Sequence, residues 1–284
     1  SRVADVAGNL RAIEMLWAEA HDAGAALVVF PELCLCGYTV RDLMHDPELL
    51  AACENALITL AQTSKTLAPM VVVGLPLRTS RGVFNVAAAV QGGDILGVVP
   101  KSYLPNYREF EECRWFRSGR EIAPGALVTI NETQVPMGTD VIFRSKEFRD
   151  LVVGIELCED FWVPQPPSMT QVMNGATIIC NLSASNFVVG KAELRRLLAQ
   201  SISDRGKCGY LYVAAGPGES STDLAFDADA FICENGRLLA ESERFARKGQ
   251  LVCTDLDLEG LVHARSIYTS FADCAAQNRR SFRS

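Results

Sequence analysis

The chain reads as an α/β protein in which mixed sheets are covered by helices, and three observations predict this. Helix-period segments alternate with short apolar β-type runs along the N-terminal part, the order expected of helices packed on a sheet. Gly92-Gly93-Asp94 and Asn235-Gly236 are hairpin signals, so antiparallel neighbours join the strands that helical crossovers connect. No internal repeat or low-complexity linker interrupts the pattern, and residues 1–284 are read as one domain.

Asn9 to Ala23 carries Leu10, Ile13, Met15, Leu16, Trp17 and Ala20 mostly at helical spacing, and Gly24 follows as a stop. Ala25 to Phe30 is a buried strand whose ladder ends at Pro31, which has no amide hydrogen, so Glu32 lies just beyond it. A second helix, Glu48 to Leu67, follows from the spacing of Leu49, Leu50, Cys53, Ala56, Leu57, Leu60 and Ala61; Met70 to Val73 is a strand ending before Gly74. Val83 to Gln91 and Ile95 to Val99 flank the first hairpin turn, with Lys101 where the second strand ends. Tyr103 to Glu121 is rich in aromatic and charged residues without a period, which marks a long loop with at most a short helix, a kind of segment that often carries function. Val128 to Ile130, Val141 to Phe143 and Leu151 to Leu157 continue as strands before Pro164-Gln165-Pro166-Pro167 breaks the chain ahead of a short helix toward Ala176. Thr177 to Leu182 is a strand, Lys191 to Lys207 a helix and Tyr210 to Ala215 a strand, followed by paired strands around Asn235-Gly236 and one at Leu251 to Leu256.

With 284 residues, 49% apolar and 21% charged, the chain has ample core material and is close to the size of large single α/β domains, about 200–250 residues. The formal net charge of −7 argues against nucleic acid as a partner, because binding driven by counterion release needs clustered Lys and Arg. The basic pairs Arg195-Arg196 and Arg279-Arg280 read as solvated faces. Ten cysteines at irregular spacing with no leader-like segment predict reduced thiols in a cytoplasmic protein. Cys34-Leu35-Cys36 is too tight for zinc and no second pair completes a ligand set, so no metal site is expected. No apolar run reaches the ~18 residues a membrane span requires.

Three of the strand-like runs finish on a reactive group: Val28-Val29-Phe30-Pro31 on Glu32, Gly97-Val98-Val99-Pro100 on Lys101, and Leu151 to Leu157 on Cys158. A thiol that attacks a carbonyl must lose its proton, the oxyanion needs a positive partner, and a leaving nitrogen must gain a proton. A carboxylate base and an ammonium supply all three needs, with Glu32 carrying the proton and Lys101 facing the oxyanion. A Cys–His pair is disfavoured, since His21 and His263 fall in helical regions and His45 in a polar loop. Cys180, Cys208, Cys233 and Cys253 read as core fillers.

Phe30-Pro31-Glu32-Leu33, Lys101-Ser102-Tyr103-Leu104-Pro105 and Gly154-Ile155-Glu156-Leu157-Cys158-Glu159-Asp160, in this order, resemble the three signatures of the nitrilase superfamily of carbon–nitrogen hydrolases, with its Glu–Lys–Cys catalytic set. Gly37-Tyr38-Thr39-Val40-Arg41-Asp42-Leu43, Tyr103 to Glu112, Cys158 to Trp162 and Asn181 to Asn186 are similar to one branch, the glutaminase domains of glutamine-dependent NAD synthetases. The resemblance runs nearly end to end, through Asp255-Leu256-Asp257-Leu258-Glu259. It implies a four-layer α-β-β-α sandwich, catalytic Glu32, Lys101 and Cys158, and Glu109 as an additional active-site carboxylate. It further implies Tyr107, Phe110, Glu159 and Ser185 as contacts of L-glutamine.

The chemistry so implied is hydrolysis of the L-glutamine side-chain amide through a Cys158 thioester, without metal or organic cofactor. Ammonia would pass to a synthetase domain, the only part to need ATP and Mg, for amidation of deamido-NAD. A homo-oligomer is expected from the same resemblance. The family's first core strand and the synthetase domain, with its Ser-Gly-Gly loop, have no counterpart in the sequence. Two alternatives stay open: an amidase for another ω-amide or carbamoyl substrate, and an inactive oligomerisation scaffold.

Overall fold

The structure is a computed structural model that describes residues Ser1–Ser284. Helix α1 (Val6–Asp22) starts where the Asp5 carboxylate accepts from the Gly8 amide, and α2 (Pro47–Thr63) where Asp46 accepts from Glu48 and Leu49, with Pro47 in the first turn. Between them lies the short strand β1 (Leu27–Val29), parallel to β2 (Met70–Thr79). β3 (Gly82–Gln91) and β4 (Asp94–Pro100) complete a four-stranded sheet in the order β1-β2-β3-β4. A separate hairpin pairs β5 (Leu127–Ile130) with β6 (Thr133–Pro136).

The second sheet is built from β7 (Phe143–Arg144), β8 (Val152–Leu157), β9 (Ile178–Ser183), β10 (Gly209–Ala214), β11 (Ala230–Glu234) and β12 (Arg237–Glu241). Its order is β12-β11-β10-β9-β8-β7, with β8, β9 and β10 parallel and the outer strands antiparallel. Helix α3 (Pro167–Met173) connects β8 to β9, and α4 (Lys191–Gly206) connects β9 to β10. Two short helices, α5 (Leu258–Ile267) and α6 (Thr269–Gln277), follow.

Alternation along the strands sorts the core into three apolar clusters, and these define the layers. Val71, Val73, Leu75 and Leu77 of β2 pack with Ile13 and Trp17 of α1 and Leu57 and Leu60 of α2. Their neighbours Met70 and Val72 face the other way and meet Val153, Ile155 and Leu157 of β8 and Ile178 and Cys180 of β9. On the far side, Ile179, Tyr210 and Tyr212 pack with Val172 of α3 and Ala199 and Ile202 of α4. Helix, sheet, sheet and helix therefore stack in four layers, as the resemblance implies. Strands covered on both faces explain the unbroken apolar runs; each fully buried Val or Leu contributes about 1.5–3 kcal/mol before entropy is subtracted.

Several elements differ from the sequence expectation. Strand β2 does not stop at Gly74 but continues through it and through Pro76, opposite Asn85. Gly74 is there because the chain entering the site crosses over it: a Cβ would lie 2.3 Å from Leu33 N and 2.8 Å from Pro31 O. Residues 251–256 carry no ladder, in contrast to the strand expected, although β1 is an edge strand. They flank a cavity of about 870 Å³ that β1, β10 and β11 also line. The β5–β6 turn was not foreseen; Asn131 and Glu132, with φ of 47° and 63°, form it. Arg195 is not solvated, being fully buried against Asp227 and Asp229. Cys253 is exposed, unlike the buried Cys180, Cys208 and Cys233.

Gly74→Ala is expected to cost about 1–3 kcal/mol, as for other overpacked core sites, and to move Glu32. A lowered urea midpoint with an unchanged slope would register this, and wild-type stability would refute it.

Candidate active site

Each of the three reactive groups stands just past a strand on the same side of the two facing sheets. Cys158 follows β8 directly and opens a 3-10 turn, Cys158–Phe161, with φ of 42°. A left-handed cysteine costs of order 1–3 kcal/mol and persists only where its surroundings impose it. The constraint is Asp160, whose buried carboxylate accepts from the amides of Leu157 at 3.1 Å, Ser102 at 3.1 Å and Tyr103 at 2.8 Å. One side chain thus fastens the Cys158 turn to the chain leaving Lys101. Burial raises the Asp160 carboxyl to about 8 even though the Leu157 and Tyr103 amides oppose it.

Lys101 follows β4, its amide donating to Asn85 O at 2.9 Å and its carbonyl accepting from Gly119 at 2.7 Å. Glu32 follows Pro31, and the next residue, Leu33, turns the chain with φ of 51°. Lys101 Nζ lies 2.7 Å from Glu32 Oε1 and 2.6 Å from Glu112 Oε1, with all three side chains excluded from solvent. Glu32 also accepts from Asn85 Nδ2 and from the Ala184 amide, both at 2.7 Å. Tyr38 donates to Glu112 Oε1 at 2.8 Å, and Glu219 fixes the Tyr38 segment by accepting from the Tyr38 and Thr39 amides at 3.0 Å.

One ammonium between two buried carboxylates leaves a net negative charge, and the protonation states follow from that excess. Burial alone would depress Lys101, but the charges of Glu112 and Glu32 override it and hold the ammonium well above its usual range. Burial lifts Glu112 to about 7, with Lys101 pulling down and Glu32 pushing up. Cys158 is driven well above an ordinary thiol by burial and by Glu32, while Lys101 and the Ala184 amide act in the opposite direction. The resting nucleophile is therefore a thiol that needs a base as it attacks.

The structure brings Glu32, Lys101 and Cys158 together but keeps Glu109 out of the cluster. Glu109 accepts from Asn186 Nδ2, and the carboxylate beside Glu32 that pairs with Lys101 is Glu112, which the sequence reading did not name. The cause is a loop: Arg108 is left-handed with φ of 52°, the Phe110 amide bonds Tyr107 O, and the Glu112 amide returns to Pro105 O at 3.1 Å. Tyr107 to Glu111 are looped out, so the chain re-enters three residues later than a direct path would.

The expected substrate contacts occupy the rim. Tyr107 Oη donates to Glu159 at 2.9 and 3.0 Å and its ring meets Phe110 edge-on at 6.2 Å. Ser185 is buried with no partner for its hydroxyl, as are Asn85 Oδ1 and Glu112 Oε2 within the cluster. Arg195 Nη2 holds the carbonyls of Ser185 and Asn186 at 3.3 and 3.0 Å, while Nη1 pairs with Asp227 and Asp229. Tyr38, Asn85, Glu112, Asp160 and Arg195 were missed in the sequence; only Tyr38 and Glu112, inside the branch-specific stretches, and Asp160, inside the Cys158 signature, carried a signal. No group of three or more His, Cys, Asp or Glu side chains is arranged to hold a metal ion.

Known proteins place this geometry. The glutamine-dependent NAD(+) synthetase of Mycobacterium tuberculosis is 44% identical over 99% of this chain, which spans 40% of that protein's length. A crystal structure of a glutamine-dependent NAD(+) synthetase from Cytophaga hutchinsonii superposes with a TM-score of 0.77 at 27% identity, covering 89% of this chain and 40% of that one. The carbon-nitrogen hydrolase of Helicobacter pylori G27, at 16% identity, shares the fold with a TM-score of 0.75 over 99% of this chain and 92% of its own. Residues 1–266 match the carbon-nitrogen hydrolase family, and with the four-layer sandwich and its strand-end cluster the chain belongs to that family.

Proposed function

We propose that residues 1–284 act as one glutaminase unit that hydrolyses the side-chain amide of L-glutamine and delivers ammonia to an ATP-dependent synthetase domain amidating deamido-NAD. The observation that carries the chemistry is the buried Glu32–Lys101–Glu112 pairing beside Cys158. The substrate follows from the similarity to NAD(+) synthetases, of whose length the chain spans 40%.

Glu32 takes the Cys158 thiol proton as sulfur attacks the amide carbon. Two of the three Lys101 N–H donors are spent on Glu32 and Glu112, and the third is free for the oxyanion. Glu32 returns the proton to the departing nitrogen, so ammonia leaves and a γ-glutamyl thioester remains. Water, deprotonated by Glu32, cleaves the thioester to glutamate and restores the thiol. Tyr107, Phe110, Glu159 and Ser185 face the substrate's amino-acid end in this reading, and Glu109 stands behind Asn186. The step needs no metal or organic cofactor; ATP and Mg belong to the synthetase partner. The reading extends to a cytoplasmic homo-oligomer, and no helix is long and apolar enough to cross a membrane.

Glutamate release from L-glutamine by the purified protein tests this directly. Cys158→Ala, Glu32→Ala and Lys101→Ala should each lower kcat at least about 100-fold, the usual scale for a lost base or oxyanion donor. Faster ammonia release from a different linear amide than from L-glutamine would refute the substrate assignment.

Glu112 gives a separate expectation for stability. Its folded-state carboxyl is raised from 4.5 to about 7, so between these values the folded chain binds more protons than the unfolded one. The stabilisation is complete below the window and is lost as pH rises through it, by about 3 kcal/mol for a shift of this size. Urea midpoints at pH 5 and pH 8 should therefore differ less in Glu112→Gln than in wild type, and an unchanged difference would overturn the assignment.

A further inference from the structure

One buried carboxylate outside the reaction as described reaches the catalytic cluster through a single intermediary. Glu219 lies in the connection from β10 to β11 and is buried at the rim of the site. Four donors meet it: the Ser1 hydroxyl at 2.7 Å, the Tyr38 and Thr39 amides at 3.0 Å each, and the Thr39 hydroxyl at 2.7 Å. All four are neutral. A buried charge without a cation beside it persists only where such donors are fixed in place. It is a costly way to hold a loop that apolar packing could also hold.

The contact is close from both sides. Gly37 enters the clamped segment with φ of 86°, and a Cβ there would lie 3.3 Å from each Glu219 carboxylate oxygen. Ser220, next to Glu219, donates its amide to Thr39 Oγ1 at 2.8 Å. Farther along the same connection, Phe226 packs edge-on to the Tyr38 ring with centroids 6.1 Å apart, and Asp227 and Asp229 pair with the buried Arg195. Backbone and ring of Tyr38 are thereby held by one segment that is itself anchored at its far end.

The Tyr38 hydroxyl uses this fixed position. It donates at 2.8 Å to Glu112 Oε1, the oxygen that also receives Lys101 Nζ at 2.6 Å, while Glu112 Oε2 has no partner. Two donors aim this carboxylate, and without the hydroxyl only Lys101 would orient it. The ammonium shared by Glu112 and Glu32 would then move with it, and a displacement of about 1 Å in such a group can cost about 100-fold in rate.

We propose that Glu219 is a positioning residue for the Cys158 reaction: by fixing the Tyr38 amide it sets the Tyr38 hydroxyl on Glu112, and thereby the place of the Lys101 ammonium beside the sulfur. This rests on the reading of Cys158 as an amidase nucleophile and deepens it, since the connection between β10 and β11 joins the machinery without touching substrate.

A double-mutant cycle in the full chain tests this with two readouts. The first is kcat and KM for L-glutamine hydrolysis. The second needs no turnover: iodoacetamide alkylates Cys158, the sulfur bonding to the methylene carbon as iodide leaves and the thiol proton passes to Glu32, and the rate is read from the mass of the Cys158 peptide. Glu219→Gln turns a donor towards amides that need an acceptor, and Tyr38→Phe keeps the ring on Phe226 but removes the hydroxyl. Each should lower kcat and the alkylation rate about tenfold, the scale of one hydrogen bond to a charged group, with KM within about twofold of wild type. Glu219→Gln should add little in the Tyr38→Phe background, because both act through one hydroxyl. Thr39→Val, which removes one of the four donors, should give a smaller loss that likewise disappears in that background, and it replaces Glu219→Gln if the latter does not fold. Full additivity, or wild-type rates in Tyr38→Phe or in a folded Glu219→Gln, overturns the proposal. If wild type releases no glutamate from L-glutamine while the alkylation rates show this coupling, the glutaminase reading falls and the role of Glu219 stands.

Discussion

Everything at this site depends on an ammonium buried between two carboxylates. Removing three charges from water is expensive, and the cost is met only if each has partners in good geometry. Asn85, Ala184 and Tyr38 supply those additional hydrogen bonds around Glu32 and Glu112. The residual negative charge is what makes the pocket useful. Together with burial it keeps the Cys158 proton on sulfur at rest, and it sustains a lysine whose remaining donor can meet a new anion. Structure and reactivity share two causes, burial and the excess of negative charge.

The architecture serves to bring these charges to one place. β1 and β4 belong to one sheet and β8 to the other, and the inter-sheet cluster of Val72, Val99, Ile155 and Leu157 fixes their relative height. Close packing makes the register of the two sheets a discrete choice, so the strand-end groups cannot drift relative to one another. Where packing alone would leave slack, single polar side chains remove it. Asp160 ties the Cys158 turn to the Lys101 loop, and Glu219 ties the Tyr38 segment into place. At Gly74 the absence of a Cβ lets the Glu32 chain cross β2 at near-contact distance.

What could be read in the sequence and what could not divides along physical lines. Glu32, Lys101 and Cys158 were legible because each closes an apolar run, and a strand announces its end through proline, charge or turn chemistry. The four layers needed the resemblance, since periodicity tells which face of a strand is covered but not by what. Glu112 was missed because spacing along a loop has no fixed conversion to distance; the left-handed Arg108 consumes residues that a straight path would not. Arg195 looked solvated because an arginine pair in a polar helix is usually so, and its acids lie in a segment without pattern. Residues 251–256 have the composition of a strand, but a strand is defined by backbone pairing, and composition does not reveal whether a pairing is made.

The Arg195 guanidinium also makes one loop depend on a distant part of the chain. The carbonyls of Ser185 and Asn186 depend on it, and its own charge stays uncompensated until Asp227 and Asp229 have packed. The backbone after β9 therefore owes its shape to two acids that enter the chain only after β10, a dependence between distant segments made through one side chain.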